Sequence, residues 1–186
     1  NVNVIKQTDA EGNILKDPTD NKVDLIAGAG NNKTTIVGDF VTNGGMGTDG
    51  QINVGLNGKD SYWIGNYGDT RGYGVTKGME GEVNLYMKNG ATWTGFADGE
   101  LNVTMEGEGT TWYGFNLCDN AADDVGAMNG GLNLTLKDNA LWINALNSAQ
   151  KDNEKYSKDT SLVYNFVGKD GFIDMTGRET FIAYND

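Results

Sequence analysis

The chain has 186 residues, a net charge of -12 and no histidine. That length suits one domain with a sizeable core, and the charge repels phosphate backbones and anionic lipid, so neither nucleic acid nor a membrane surface is expected as a partner. The lack of histidine excludes Ser-His-Asp and Cys-His catalysis and His-ligated zinc.

In chain order, Val2 to Ile5 reads as a first strand, Asp9 to Gly12 as turn chemistry before Ile14-Leu15, and Asp17-Pro18-Thr19-Asp20 as a loop. Val23 to Ala27, Thr34 to Val37 and Phe40-Val41 follow as strands. Gly44-Gly45-Met46-Gly47-Thr48-Asp49-Gly50 overlaps a calcium-binding nonapeptide pattern, but its apolar slot holds Gln51 and no tandem copy follows, so it reads as a turn. The 28 glycines and the single proline fit tight corners between many short strands.

From residue 50 onward a repeat takes over. Gly50-Gln51-Ile52-Asn53-Val54-Gly55-Leu56 leads to Trp63, and Gly81-Glu82-Val83-Asn84-Leu85-Tyr86-Met87 leads to Trp93. Gly99-Glu100-Leu101-Asn102-Val103-Thr104-Met105 leads to Trp112, and Gly130-Gly131-Leu132-Asn133-Leu134-Thr135-Leu136 leads to Trp142. Alternation at Val83, Leu85 and Met87 is the period-two signature of a strand with one packed face. Fainter copies begin at Val2, at Val23 and at Leu162-Val163-Tyr164, which runs on to Phe166. Units of this size, each unable to bury its apolar face alone, close a core only by stacking. The fold class is therefore all-β: a single-domain parallel β-helix, or β-solenoid, of about seven rungs over residues 1–186.

Two rows invite chemistry. Four tryptophans at one repeat position either stack sugars outside or, as favoured here, pack in a core or seam together with Ile64, Phe96 and Phe115, because an exposed stripe of that size would promote association. Asn53, Asn84, Asn102 and Asn133 form a structural side-chain amide ladder, ordinary outward polar positions or ligand contacts; rungs ~5 Å apart favour the ladder.

The spacing of the copies alternates between long and short, and the extra length falls after Trp63 and after Trp112. The segments Ile64-to-Glu80 and Tyr113-to-Asn129 are thus read as matched insertions on one edge, either a contact surface or a cover for the Trp row. Tyr67, Asp69, Arg71 and Tyr73 are the binding candidates, because Tyr and Arg are enriched at hot spots and Arg71 is one of two arginines, with Arg178. Asn147-to-Thr160 reads as a solvated loop.

No catalytic residue is assigned. Asp123 with Asp124, or Glu106 with Glu108, are sequence neighbours that seldom reach glycosidase geometry, and neither arginine lies beside an acidic cluster suited to a lyase. There is no Walker loop, dinucleotide fingerprint or paired-Cys spacing, so no cofactor and no metal is expected. Cys118 stands alone, which rules out a disulfide within the chain and suggests a small apolar residue. No stretch approaches the ~18 apolar residues of a membrane helix. The start without Met or signal-peptide layout suggests an excised fragment.

The units at 83 to 95 and 132 to 142 resemble the repeats of bacterial autotransporter passenger domains and related large surface adhesins, with the likeness running over about 50 to 145. The resemblance implies a right-handed parallel β-helix outside a Gram-negative-type outer membrane, a fragment of a longer surface protein. It further implies non-catalytic attachment to a host surface protein or glycan, or a stalk role, with self-association as a further option and no membrane insertion by this chain. A carbohydrate-active β-helix enzyme of lyase or glycoside hydrolase type, and a spacer or fibre subunit, are the alternatives. Since one imperfect glycine-rich match cannot assemble the several oxygen ligands that calcium requires, a chelator is expected to leave the melting temperature unchanged; a fall of several degrees would reveal a structural metal.

Overall fold

The computed structural model describes residues 22–27, 33, 35–38, 40–42, 50–69, 81–98, 101–116, 132–145, 160–177 and 180–183. These build six successive coils. The first contains β1 (Lys22–Ala27), β2 (Thr35–Val37) and β3 (Phe40–Thr42), and the second β4 (Gly50–Asn57), β5 (Tyr62–Ile64) and β6 (Tyr67–Asp69). The third contains β7 (Gly81–Lys88), β8 (Thr92–Thr94) and β9 (Ala97–Asp98), and the fourth β10 (Leu101–Glu106) and β11 (Thr111–Gly114). The fifth contains β12 (Leu132–Lys137), β13 (Leu141–Asn144) and β14 (Thr160–Val163), and the sixth β15 (Asn165–Lys169), β16 (Phe172–Asp174) and β17 (Thr180–Ala183).

Each strand hydrogen-bonds to its counterpart one coil away, always in parallel, so like sides of the coils form continuous sheets. The first sheet runs β1-β4-β7-β10-β12-β15 and the second β2-β5-β8-β11-β13-β16. The third side holds β3-β6-β9 and, further along, β14-β17; a parallel bridge from Ala97 to Asn116 carries it into the fourth coil. This is a parallel β-helix. With a spacing of ~4.8 Å between neighbouring strands, the first and sixth coils lie about 24 Å apart.

Register follows the repeat. Val54 pairs with Leu85, Leu85 with Val103, Val103 with Leu134 and Leu134 with Phe166, so one inward position is traced through five coils. The inward side chains of β4, β7, β10 and β12 are buried, while Asn, Tyr, Thr and charged residues alternate outward. A strand with this alternation can satisfy its backbone only through neighbouring strands and its apolar face only through the other sides of the coil, which makes closure and stacking one event.

The corner between the first and second sheets is a tight turn. The N–H of Ser61, Ala91, Thr110 and Ala140 donates to the carbonyl of Gly58, Lys88, Gly107 and Lys137, respectively. Asn89 and Gly90, and Asp138 and Asn139, take positive φ there, conformations that Asn, Asp and Gly adopt at least cost. Immediately after the turn, Ser61, Ala91, Thr110 and Ala140 are buried one above another, where a large side chain would hold the coils apart.

Six coils are described; the strand expected at Val2 to Ile5, which would open the remaining one of about seven rungs, lies outside the described residues, as do Ile14-Leu15, the glycine-rich run before Gly50 and Cys118. Two expectations need correction. Leu162 and Val163 do not open a coil: they sit in β14 on the third side, and Asn165–Lys169 supplies the first-sheet strand, with Asn165 opposite Asn133. The alternation is ambiguous there because two short apolar strands adjoin across Tyr164. Finally, the connections after tryptophan do not leave the column at once. Residues 64–69 and 113–116 still belong to it, and even the short link after Trp93 contains β9, so each has a third side to build first.

This register separates neighbouring positions sharply. Leu85→Asp buries an unpaired charge within the column and is expected to abolish cooperative thermal unfolding, whereas Tyr86→Asp, on the solvent side, is expected to shift stability by no more than about 0.5 kcal/mol. Circular dichroism melting of the two variants checks the assignment.

Candidate functional site

The two rows that sequence singles out serve the column itself. Trp63, Trp93, Trp112 and Trp142 are fully buried and stacked nearly flat, with ring centroids 4.7, 4.5 and 4.9 Å apart and interplanar angles of 3°, 7° and 8°. That spacing matches the strand repeat. Ile36 pairs with Trp63 at one end of the stack and Ile173 with Trp142 at the other, both packed against the core.

A buried indole N–H needs an acceptor, and each one finds a carbonyl in the preceding coil. Trp63 Nε1 donates to Gly38 O (2.8 Å), Trp93 to Gly65 O (2.9 Å), Trp112 to Gly95 O (2.9 Å) and Trp142 to Gly114 O (3.0 Å). The accepting residue must be glycine for a steric reason. A Cβ on Gly65, Gly95 or Gly114 would collide with the carbonyl of the glycine one coil before it. The rule lapses where the donor disappears: the coil after Trp142 carries Ile173, and the position equivalent to Gly114 holds buried Asn144, bonded instead by Ser161 Oγ (2.7 Å).

The asparagines form the expected amide ladder, and it is one member longer. Asn84 Nδ2 donates to Asn53 Oδ1 (3.0 Å), Asn102 to Asn84 (2.8 Å), Asn133 to Asn102 (2.6 Å) and Asn165 to Asn133 (2.8 Å). All four donations run toward the amino-terminal coil. Asn165 escaped the sequence reading because the sixth-coil strand was assigned two residues too early.

Among the named binding candidates, Tyr67 and Asp69 flank Gly68 on β6, opposite Phe40 and Thr42 of β3. Arg71 and Tyr73 lie outside the described residues. Phe96 and Phe115 do stack, at 5.4 Å, but Ile64 points outward and is half exposed rather than part of that seam. No three acidic or cysteine side chains among the described residues come together as metal ligands.

What the column leaves outward differs between the two long sheets. The first sheet exposes Tyr86 together with Lys88, Glu106 and Lys169. The second turns two side chains per strand outward, on either side of the inward Trp position: Thr35 and Val37, Tyr62 and Ile64, Thr92 and Thr94, Thr111 and Tyr113, Leu141 and Ile143, of which Tyr62, Thr92, Thr111, Leu141 and Ile143 are half-buried. None of these is charged. Val37 is 75 % exposed, Ile64 48 %, Tyr113 52 % and, on the sixth strand, Phe172 58 %. Among the described outward positions of this sheet, the carboxylate is Asp174 at the sixth strand; it accepts the Thr176 N–H at 2.9 Å, which holds its carboxyl below the usual range and keeps it negative at neutral pH. The second sheet thus carries a flat field of β-branched, aromatic and hydroxyl groups, legible in sequence only as the residues flanking each Trp.

The chain matches no protein family, and no curated protein or solved structure is detectably similar to it. The residues flanking the Trp row are therefore judged on their chemistry alone.

The indole–glycine pairing carries a measurable consequence. Trp93→Phe removes the donor to Gly65 O and leaves a small void, so it is expected to cost at least about 2 kcal/mol in denaturant unfolding. Gly95→Ala is expected to cost more, because the colliding partner is backbone that cannot rotate away.

Proposed function

We propose that this chain is a non-catalytic attachment module of an adhesin-like protein on a bacterial cell surface, a rigid column that presents its outward side chains to a host protein or glycan. The observation that carries this reading is the division of labour within each coil. Indoles, amides and inward aliphatic residues hold the column together, leaving outward positions to vary without disturbing it. A rigid support with a variable, solvent-facing surface suits recognition by many weak contacts. The likeness of its repeats to autotransporter passengers supports an extracellular setting, and a parallel ladder can hold such a column without disulfides.

The runner-up readings differ in outcome. A carbohydrate-active enzyme would depolymerise polysaccharide, and a spacer would neither bind nor cleave. Fluorescent beads coated with the folded chain are expected to be retained saturably on epithelial cells, matrix proteins or a glycan array, with no shortening of the array polysaccharides. Absence of saturable retention on every surface would exclude attachment in favour of the spacer, and shortened polysaccharide would exclude the non-catalytic assignment.

A further inference from the structure

Three features lie outside the packing of the core: the charged outward face of the first sheet, the end of the amide ladder at Asn165, and the outward face of the second sheet, uncharged over its first five strands. The first offers alternating Lys88, Glu106 and Lys137 in register, charges already placed opposite one another. The ladder end is a property of the column. The second sheet is left with a surface that its own coils do not use.

Resting on the attachment reading above, we infer that the outward face of the second sheet is a docking surface for a neutral, extended glycan lying along the column. Charge narrows the partner first. The chain carries -12 overall, yet from the first to the fifth coil the described side chains of this face include none that is charged at neutral pH. It offers nothing for a sulfate, sialic acid or phosphate to pair with, and the surrounding negative field repels them. A strongly basic partner would find its complement elsewhere on the molecule.

Size narrows it next. Six strands at ~4.8 Å and three residues across give a face roughly 24 Å by 10 Å in plan. That is about 240 Å² per copy, well below the ~800 Å² per partner of a stable protein interface, so a second copy is disfavoured as the occupant. A narrow, elongated footprint fits one flexible polymer chain.

The group chemistry agrees. A neutral sugar has C–H faces and hydroxyl rims. Tyr113, Tyr62 and Phe172 supply aromatic surface, Ile64 and Val37 supply aliphatic contact, and Thr92, Thr94 and Thr111 interleave hydroxyls. The buried Trp stack beneath fixes the strand between each outward pair, so the rings are presented on a preorganised support and binding costs little ordering.

The test uses the intact chain and immobilised hexasaccharides of glucose, mannose, galactose and N-acetylglucosamine, beside their sulfated or sialylated counterparts. The neutral set is expected to bind. Tyr113→Ala is expected to weaken that binding about tenfold, the loss typical of one aromatic hot spot, and Ile64→Lys to weaken it at least as much. Lys88→Ala, on the outward face of the first sheet, is expected to leave it unchanged. Thr94→Lys, at an exposed position, provides a second probe should either variant melt abnormally. Binding confined to the acidic sugars, undiminished binding by the folded face variants, or no binding to any hexasaccharide would each overturn the inference. So would a concentration-dependent dimer, seen by light scattering, that Ile64→Lys abolishes, since the occupant would then be a second copy. Cell attachment that survives unchanged in the face variants would sink this surface while leaving the attachment function intact; failure of attachment with hexasaccharide binding retained would do the reverse.

Discussion

The column depends on one repeated exchange, an indole N–H from each of the second to fifth coils donated to a glycine carbonyl in the coil before it. The indole is inside, where an unmade hydrogen bond is expensive, and the glycine carbonyl of the neighbouring coil satisfies it. The geometry that allows it also fixes the residue types. Only glycine lets its backbone approach the preceding carbonyl closely enough, and a planar ring stacks within the 4.5–4.9 Å interval between coils without separating the strands. Where the next coil offers Ile173 in place of an indole, Asn144 takes the glycine position and is bonded by a serine. Donor and acceptor therefore change together along the chain, which is the behaviour of a constraint rather than of a compositional habit.

Stacking identical residues has consequences beyond the tryptophans. Outside the core, on the first sheet, the same spacing aligns five asparagine amides into a chain of four hydrogen bonds, all pointing one way. Each neutral bond of this kind contributes about 1 kcal/mol at most times; their larger effect is on register, since a slip by one residue would break every member and turn the apolar row toward solvent. Packing, amide ladder and indole pairs all specify the same alignment, and that agreement is what lets coils linked by very different lengths of chain stack without ambiguity.

A scaffold that settles its alignment internally leaves its outer faces free to differ, and here they do. The first sheet exposes a polar, charged surface, and the second, over its first five strands, an uncharged one rich in threonine, tyrosine and β-branched residues. The contrast arises from a single alternation applied twice: in the first sheet the outward residues follow Asn and flank aliphatics, whereas in the second they flank a ring that fills the interior.

Sequence by itself determined the parallel stack, its inward row and the pairing of repeats, because strict alternation at Val83, Leu85 and Met87, repeated with a Trp at fixed distance, admits only one face toward a shared core. It also foretold the buried tryptophans and the amide ladder, both consequences of putting like residues one strand spacing apart. Only the tertiary structure decided where each coil ends. The third side is built from strands as short as Ala97–Asp98, too brief to show a period, and the sixth coil's first-sheet strand begins at Asn165 because its partner strand selects Phe166 rather than Tyr164 to meet Leu134. Likewise Ile64 and Tyr113 sit beside buried rings in sequence but outside them in space, since alternation states which neighbours share a face and packing alone states which face meets water.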